Sequence, residues 1–443
     1  MKQATGSMLF ASASAQARAI ACGQMSAADL MAQQMAAIRQ INPSLNAFVE
    51  IIEPTKVPDS GAARSPLSGT SFAVKDNIDF EGVASHCGLK ALRAQPSTCS
   101  ASVVSRLVSA GLICVGKLNM HPMALGTTNH NPDFGDCYNP HRANYTPGGS
   151  SGGSGAAVAA GMCGVALGTD TMGSVRIPAA YCGVVGFKPS FGAIATDGVI
   201  PLCRALDHVG LLARSIEDVM HAFRIVGDFG GAPSEAGPRS ELPPPGRQWR
   251  FAIPQNADQL QMSSEMRSAY DAALLSLEDR GFTLEPFDLQ HYPFTRLRRA
   301  GLLLSEAELL NTLVQPLTNR LEEFPPDLRA MLQFAAGKSA ADLSRALAEV
   351  VDAGQWLNRQ LLPFDALLLP TTGHAAFPMD SKAPVDQADF TAMANMSGGP
   401  ALSLPLPVVA GEMPLGLQLI ARRGCDWTLL FGAQAVKSAM SQQ

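Results

Sequence analysis

The chain has 443 residues, of which 47% are hydrophobic and only 16% are charged, so it encodes a protein with a large buried core and not a disordered one. The net charge is −5, from 33 basic and 38 acidic residues with no long run of either sign. This balance predicts neither a nucleic-acid surface nor binding to an anionic membrane. Nine cysteines without metal-ligand spacing, and no apolar stretch long enough to span a bilayer, predict a reduced, cytoplasmic protein.

The N-terminal region predicts a helical layer over residues 1–58. Its apolar patch, Met8–Ala11, is too short for the core of a secretory signal peptide, so secretion is the less favoured alternative. Helical spacing runs from Ala13 to Ile52. Ser26 is the expected N-cap of the main helix, and Asn42-Pro43 is expected to end it.

The next segments predict alternating strands and helices. Thr70–Asp76 is typical of a buried strand, and Ser100–Gly111 is an amphipathic helix followed by the apolar strand LICVG. Gly155–Gly168 is an uncharged Ala/Gly segment, which favours a helix and a strand packed in the centre. Ser215–Gly227 predicts another capped helix. The order indicates an α/β sheet protein whose core begins with residues 60–226.

The last half of the chain changes in composition. Gly227–Gln248 is rich in Pro and Gly and predicts an exposed loop, and a short strand WRFAIP follows it. Residues 263–361 carry more charge and are expected to be helical, so residues 227–360 form a loop plus a helical excursion. Residues 361–443 then complete the core with three buried strands, DALLLPTT, PALSLPL and LGLQLIAR, and a helix.

The stretch PGGSSGGSG, Pro147–Gly155, resembles a flexible linker, but a core-type Ala/Gly segment follows it at once. A phosphate-binding loop needs a GK[ST] ending, and the nearest match, GLICVGK, is followed by Leu118 and has a strand-like centre. Gly-x-Ser-x-Gly occurs around Ser150 and Ser151, yet no strand precedes it as an esterase elbow requires. Asp207 and His208 are the candidate partners in that esterase alternative.

A fourth interpretation takes several blocks of sequence together. The ordered blocks AVKDNI, GKLNM, PGGSSGGS, GTDTMGSVRIPA, CGVVGFKPS and LDHVGLLARS, and later LLLPTT, GGPALSLP and PLGLQLIAR, resemble the amidase signature family over most of the chain apart from about residues 228–360. The resemblance implies a single α/β/α domain spanning residues 1–443. It also implies a large, mixed, mostly parallel twisted sheet with helices on both faces, and residues 227–360 as a cover over the substrate.

The resemblance implies a Ser, cis-Ser, Lys triad. Ser174 matches the acylating nucleophile, Ser150 the bridging serine after a cis peptide bond, and Lys75 the final base. A serine hydroxyl needs a base to attack an amide, and a lysine is a base only if its pKa is lowered by burial or by nearby cations. Lys75 ends an apolar strand, which makes burial plausible, although a solvated lysine is the usual state of an isolated Val-Lys pair.

Further roles follow from the same resemblance. The backbone N–H groups of Thr171, Met172, Gly173 and Ser174 would form an oxyanion hole. Asp170, Arg176 and Ser151 would support the loop, with the acid–base pair acting as a scaffold in preference to a substrate contact. Met172 replaces the usual glycine of the family, and it either narrows the cleft or points into the core. Family resemblance also suggests three pocket residues: Met123, Thr128 and Asn129.

The predicted function is hydrolysis of a linear carboxylic amide, with a small-molecule amide as partner and with no metal, cofactor, nucleic acid or membrane. The alternative is the amidase (A) subunit of a glutamine-dependent aminoacyl-tRNA amidotransferase. A non-catalytic scaffold is the third class, and the filled triad positions count against it. The sequence leaves the oligomeric state open, with a homodimer as the commonest assembly.

Overall fold

A computed structural model describes residues 8–54, 57, 64–92, 94–228, 247–407 and 409–441, with the backbone alone for residues 259 and 313–319. Within these residues the strands are β1 (Phe48–Ile51), β2 (Ser71–Lys75), β3 (Ile113–Leu118), β4 (Val165–Asp170), β5 (Val185–Lys188), β6 (His208–Ala213), β7 (Arg250–Pro254), β8 (Thr283–Phe287), β9 (Ala366–Pro370), β10 (Ala401–Pro405) and β11 (Gly416–Ile420).

The helices of the same residues are α1 (Ala13–Ala21), α2 (Ala27–Leu45), α3 (Ser102–Ser109), α4 (Gly152–Ala159), α5 (Arg176–Cys182), α6 (Ile216–Val226), α7 (Ser264–Asp279), α8 (Phe294–Leu317), α9 (Pro326–Ala336), α10 (Ala340–Gln360), α11 (Asp389–Met396) and α12 (Asp426–Met440).

The strands form a single sheet in the order β1-β3-β2-β4-β6-β5-β10-β11-β9-β7-β8. The sheet is mixed, which confirms the α/β prediction. The expectation of a mostly parallel sheet was wrong: only β2–β3, β2–β4, β7–β8 and β7–β9 are parallel pairs among the described strands. Neighbouring pairs such as β10–β11 are antiparallel, and the strand-like composition of a buried segment does not specify its direction.

Helices cover both faces of the sheet because its strands alternate their side chains between two apolar clusters. Phe72 and Val74 of β2 pack into a cluster that contains residues of α3, α6, α7 and α12. Ala73, between them, packs into a cluster with α2, α4 and α5. All of β2 is therefore buried, including its terminal lysine.

Three sequence expectations need correction. Helix α2 begins after the predicted cap Ser26, which forms a capping box with Asp29, but it continues through Pro43 to Leu45. A proline this close to the C-terminal end of a helix removes one of its last hydrogen bonds. The segment expected to be helical up to Ile52 contains β1, which pairs with β3, and residues 263–361 contain β8, which pairs with β7.

The helical excursion packs beside the core. Helices α9 and α10 both pack on α8, and α11 packs on α8 and α10. Gly301 of α8 lies so close to Met172 that a Cβ atom added there would be 2.9 Å from the methionine sulfur. Most of the predicted loop Gly227–Gln248 lies outside the described residues. That residues 227–360 cover a substrate stays a prediction.

Candidate active site

Side chains from three distant parts of the sequence meet at the carboxyl ends of two neighbouring parallel strands. Lys75 is the last residue of β2, and Thr169 lies one residue before the end of β4. Lys75 Nζ lies 2.7 Å from Ser150 Oγ and 2.7 Å from Thr169 Oγ1. Lys75 and Ser150 have no exposed surface. Two residues of the predicted triad are thus in hydrogen-bond contact, and the sequence analysis did not identify Thr169.

The environment of Lys75 favours its neutral form. Burial lowers the pKa of this lysine to about 7, because the negative charges of Asp170 and Asp207 only partly offset the loss of hydration. A primary amine with this pKa is neutral in a large fraction of molecules near neutral pH, so it can accept a proton. The solvated-lysine alternative is therefore wrong for this chain.

The Ser/Gly stretch is a packed part of the core. Every residue from Pro147 to Gly155 is buried, and the Gly149–Ser150 peptide bond is cis, as the resemblance implied. A Cβ added at Gly149 would lie 2.9 Å from backbone atoms of Thr127, Thr128 and Asn129. Glycine is required at position 149 because another backbone segment approaches closely, and the linker interpretation is wrong because the whole stretch is buried.

Ser151 fixes the predicted nucleophile beside the bridging serine. The Ser151 hydroxyl donates to the Thr169 carbonyl at 3.2 Å and accepts from the Thr169 amide at 3.3 Å. The Ser151 amide donates to the Ser174 carbonyl at 3.1 Å. Ser174 is 8% exposed, in contrast to the fully buried Ser150 and Lys75. It is therefore the one of these three side chains that a substrate can reach.

Asp170 and Arg176 form a buried ion pair below the turn that carries Ser174. Arg176 donates to both carboxylate oxygens of Asp170, at 2.8 and 3.0 Å, and both residues are fully buried. Burial by itself would raise the pKa of Asp170, but the Arg176 guanidinium outweighs it and holds this pKa well below its usual range. The pair has the geometry of a scaffold, with no surface open to a substrate.

Helix α11 and strand β11 complete the partners of Arg176. The guanidinium also donates to the Thr391 carbonyl, Asn395 Oδ1 and Gln418 Oε1. Asn395 in turn donates to Asp170 Oδ1 at 2.9 Å. Thus the last third of the chain fixes the turn before the predicted nucleophile.

Asp170 also uses one of the predicted oxyanion-hole donors. The Gly173 amide donates to Asp170 Oδ1 at 2.7 Å, so it is already occupied by a strong acceptor. The Thr391 hydroxyl donates to the Met172 carbonyl at 2.6 Å, and the Thr171 hydroxyl donates to Asp207 at 2.6 Å. These bonds fix the turn, and the amides of Thr171, Met172 and Ser174 stay the predicted donors.

Met172 joins two apolar clusters. It is partly buried and packs on one side against a cluster that includes Leu206, Leu297 and Met396, and on the other against a cluster that includes Tyr181. Its side chain therefore contacts core residues while part of it stays open. The two alternatives for Met172 are both compatible with this position, and its role in the cleft stays a prediction.

The three predicted pocket residues differ in their surroundings. Thr128 is partly exposed and its hydroxyl lies 3.5 Å from His121 Nδ1. Asn129 is fully buried and accepts a hydrogen bond from the Gly152 amide at 3.1 Å, which holds the start of α4. Met123 is 1% exposed and packs against residues of α8 and α9. A role in substrate binding stays a prediction for all three.

The alternatives to the lysine-based site do not fit the geometry. His208 Nδ1 donates to the Leu206 carbonyl at 2.7 Å, and burial lowers the pKa of His208 well below its usual value. Asp207 accepts from Thr171, as described above, and neither residue forms a relay to a serine. The GLICVGK segment is largely strand β3, so it is not a phosphate loop.

The residues that sequence analysis missed share a common feature. Thr169, Thr391, Asn395 and Gln418 contact the site through single side chains whose partners are far away in the sequence. Thr169 could have been suspected, because it follows a run of apolar residues typical of a buried strand. The carboxyl ends of neighbouring parallel strands, here β4 and β2, meet at one edge of a sheet. Thr391 and Asn395 lie outside the quoted blocks, and Gln418 lies within the block PLGLQLIAR, where the resemblance assigned it no role.

The described residues contain neither a metal-binding cluster nor a membrane-spanning helix. No cluster of three or more His, Cys, Asp or Glu side chains in this part of the chain could hold a metal ion. None of its helices combines the length and the apolar character needed to cross a membrane.

The chain matches the Amidase family over residues 29–430. It is 31% identical to the A subunit of the glutamyl-tRNA(Gln) amidotransferase of Symbiobacterium thermophilum, with 93% of each chain covered. Among solved structures it resembles the corresponding subunit of Thermotoga maritima, with a TM-score of 0.80, 29% identity, and coverage of 92% of this chain and 91% of that one. It also resembles a crystal structure of an amidase, with a TM-score of 0.84, 28% identity, and coverage of 97% of this chain and 100% of that one.

These matches show that the chain belongs to the amidase family, and that the sequence-based recognition of the amidase signature was correct. The protein is an enzyme that acts on carbon–nitrogen bonds, as predicted.

Proposed function

We propose that this enzyme hydrolyses a linear carboxylic amide through an acyl-enzyme on Ser174 and releases ammonia or an amine. The observation that carries this proposal is the 2.7 Å contact between Lys75 Nζ and Ser150 Oγ in a fully buried setting. A buried amine in contact with a serine hydroxyl can take a proton from it, and that hydroxyl can take one from a second serine.

The proposed acylation step moves one proton over two groups. Ser174 Oγ attacks the amide carbon, its proton passes to Ser150 Oγ, and the Ser150 proton passes to neutral Lys75. When the tetrahedral intermediate collapses, the C–N bond breaks and the proton returns through Ser150 to the departing nitrogen. Water then attacks the Ser174 ester by the same relay, which releases the carboxylic acid and restores the serine.

Charge that develops on the carbonyl oxygen needs hydrogen-bond donors. The amides of Thr171, Met172 and Ser174 are the proposed donors, and loss of one such donor typically lowers the rate about 10²- to 10³-fold. The Gly173 amide is better described as part of the turn, because Asp170 already accepts its hydrogen bond.

A fluorophosphonate probe tests the proposal without knowledge of the substrate. It should add one phosphonyl group to the wild-type enzyme on Ser174 and none to Ser174→Ala. Ser150→Ala and Lys75→Ala should keep Ser174 but label much more slowly. Failure of the folded wild-type enzyme to react would overturn the nucleophile assignment. A panel of primary amides, anilides and carboxylated ureas, followed by release of ammonia or amine, would then define the substrate.

A second candidate is the amidase subunit of a glutamine-dependent aminoacyl-tRNA amidotransferase. The relatives named for that subunit favour it, since they are about 30% identical over nearly the full length of both chains. In this alternative the same serine would cleave glutamine, and ammonia would go to a partner protein. Ammonia release from glutamine that requires added partner subunits would favour it, whereas turnover of other amides by the isolated chain favours the first proposal.

A further inference from the structure

One buried carboxylate on α8 has an oxygen with no hydrogen-bond partner among the described residues. Glu306 is 3% exposed, and no residue in the described part of the chain forms a hydrogen bond with its Oε2 atom. Its neighbour Ser305 is fully buried and donates to the Gly301 carbonyl. Buried carboxylates are normally paired or hydrogen-bonded, because an unpartnered buried charge destabilises the fold. The buried position of Glu306 is therefore better explained by a role in function than by a contribution to stability.

The residues one turn away on α8 define what Glu306 faces. Leu302, four residues before it, and Leu309, three residues after it, pack with Met120 and Met123. Residues at these spacings share one face of a helix. Glu306 thus lies on the face of α8 that packs over the segment containing the predicted pocket residue Met123.

The same helix passes close to the predicted nucleophile. Gly301 contacts the side chain of Met172, two residues before Ser174. Glu306 is five residues further along α8, which is about 7.5 Å along the helix axis and about 140° around it, so it lies on the side of Met120 and Met123 and not on the side that meets Met172. A substrate that is acylated at Ser174 and runs along the Met123 side of α8 would need a chain of at least about six bonds to reach Glu306.

Lys338 is the nearest competing explanation. Burial raises the pKa of Glu306 to about 7, and the positive charge of Lys338 lowers it only partly. The Lys338 ammonium lies 4.0 Å from the centre of the Phe334 ring. Within the described residues no ion pair joins Lys338 to Glu306, so this lysine leaves the carboxylate without a direct partner.

We propose that Glu306 determines substrate specificity by binding an ammonium group at the far end of the acyl chain. The inference rests on the proposed acylation of Ser174. A cation that arrives with the substrate would provide the partner that the buried carboxylate lacks. An acyl chain without this group would leave Glu306 unpaired beneath it, and a buried charge left unpaired weakens binding.

The test compares hexanamide with its ω-amino derivative. Each amide is scored in two ways: by ammonia release, and by how well it protects Ser174 from the fluorophosphonate probe, which needs no turnover. The enzymes are wild type, Glu306→Gln and the matched control Glu349→Gln, which removes the same charge from α10 next to an exposed arginine, Arg296. The assay uses about pH 8.5, where both Lys75 and Glu306 are deprotonated.

We expect the wild type to favour the ω-amino amide, and Glu306→Gln to lose about 10- to 100-fold of this preference. Glu349→Gln should keep it, and all three proteins should react alike with the probe in the absence of amide. Equal preference in wild type and Glu306→Gln, or the same loss in Glu349→Gln, would overturn the inference while leaving the nucleophile intact. No reaction of the wild type with the probe would instead overturn the proposed function and this inference together.

Discussion

Acidification should slow the modification of Ser174 because it protonates Lys75. The pKa of Lys75 is lowered by burial to about 7, and only the neutral amine has a lone pair that can take the proton relayed through Ser150. The neutral fraction is about 97% at pH 8.5 and about 3% at pH 5.5. The rate of fluorophosphonate labelling should therefore fall about 30-fold over this interval, and about 16-fold of that loss should come between about pH 7 and about pH 5.5.

The measurement is the second-order rate of labelling by an uncharged fluorophosphonate, followed by intact-protein mass from about pH 5.5 to about 8.5. Buried carboxyls also titrate in this window: burial raises the pKa of Asp76 and that of Asp207 to about 6, and that of Glu306 to about 7. The variants Asp76→Asn, Asp207→Asn and Glu306→Gln isolate their effects. If protonation of Lys75 causes the loss of rate, all three variants retain a midpoint near 7. A flat profile in the wild type, or a midpoint that disappears with any one of these carboxyls, would refute the reasoning.

Three other changes have predictable results. Arg176→Met should lower the free energy of unfolding by about 3 to 5 kcal/mol in urea denaturation, because it leaves Asp170 buried and unpaired; stability equal to wild type would contradict the scaffold role. Thr169→Val should slow labelling about 3- to 10-fold, because Lys75 loses its 2.7 Å contact with the Thr169 hydroxyl, and an unchanged rate would show that this contact does not orient the amine. Met172→Gly should keep the labelling rate within about threefold, because the backbone N–H remains. Ammonia-release assays of this variant should reveal a wider range of accepted acyl groups. A large loss of labelling would mean instead that the methionine side chain positions the turn.

The residues of the candidate triad could be proposed from sequence because they lie in compact blocks that together resemble the amidase signature family. Lys75 ends an apolar strand, and Ser150 is surrounded by glycines whose absence of a side chain is a local property of the chain. The packed state of Pro147–Gly155 also followed from the core-type segment after it. These features depend on residues close in sequence, and the fold preserves them.

Other features could not be predicted because they depend on directions and contacts over long sequence separations. The direction of strand pairing is one example, since β4 and β6 pair antiparallel although both have the composition of buried strands. The strands β1 and β8 are others: each is short, and the long helical patterns around them mask the signal.

The sequence by itself determined the family of this enzyme, because its ordered blocks resemble the amidase signature, and that resemblance proposes Lys75, Ser150 and Ser174 as the triad. Only the tertiary structure decided how those groups are tuned. Burial at the end of β2 lowers the pKa of Lys75, and Asp170 takes up the Gly173 amide. Likewise, burial of the Glu306 Oε2 atom without a hydrogen-bond partner among the described residues arises only when α8 packs with Met120 and Met123. Motifs specify which groups are present, whereas desolvation and hydrogen-bond partners are properties of the folded chain.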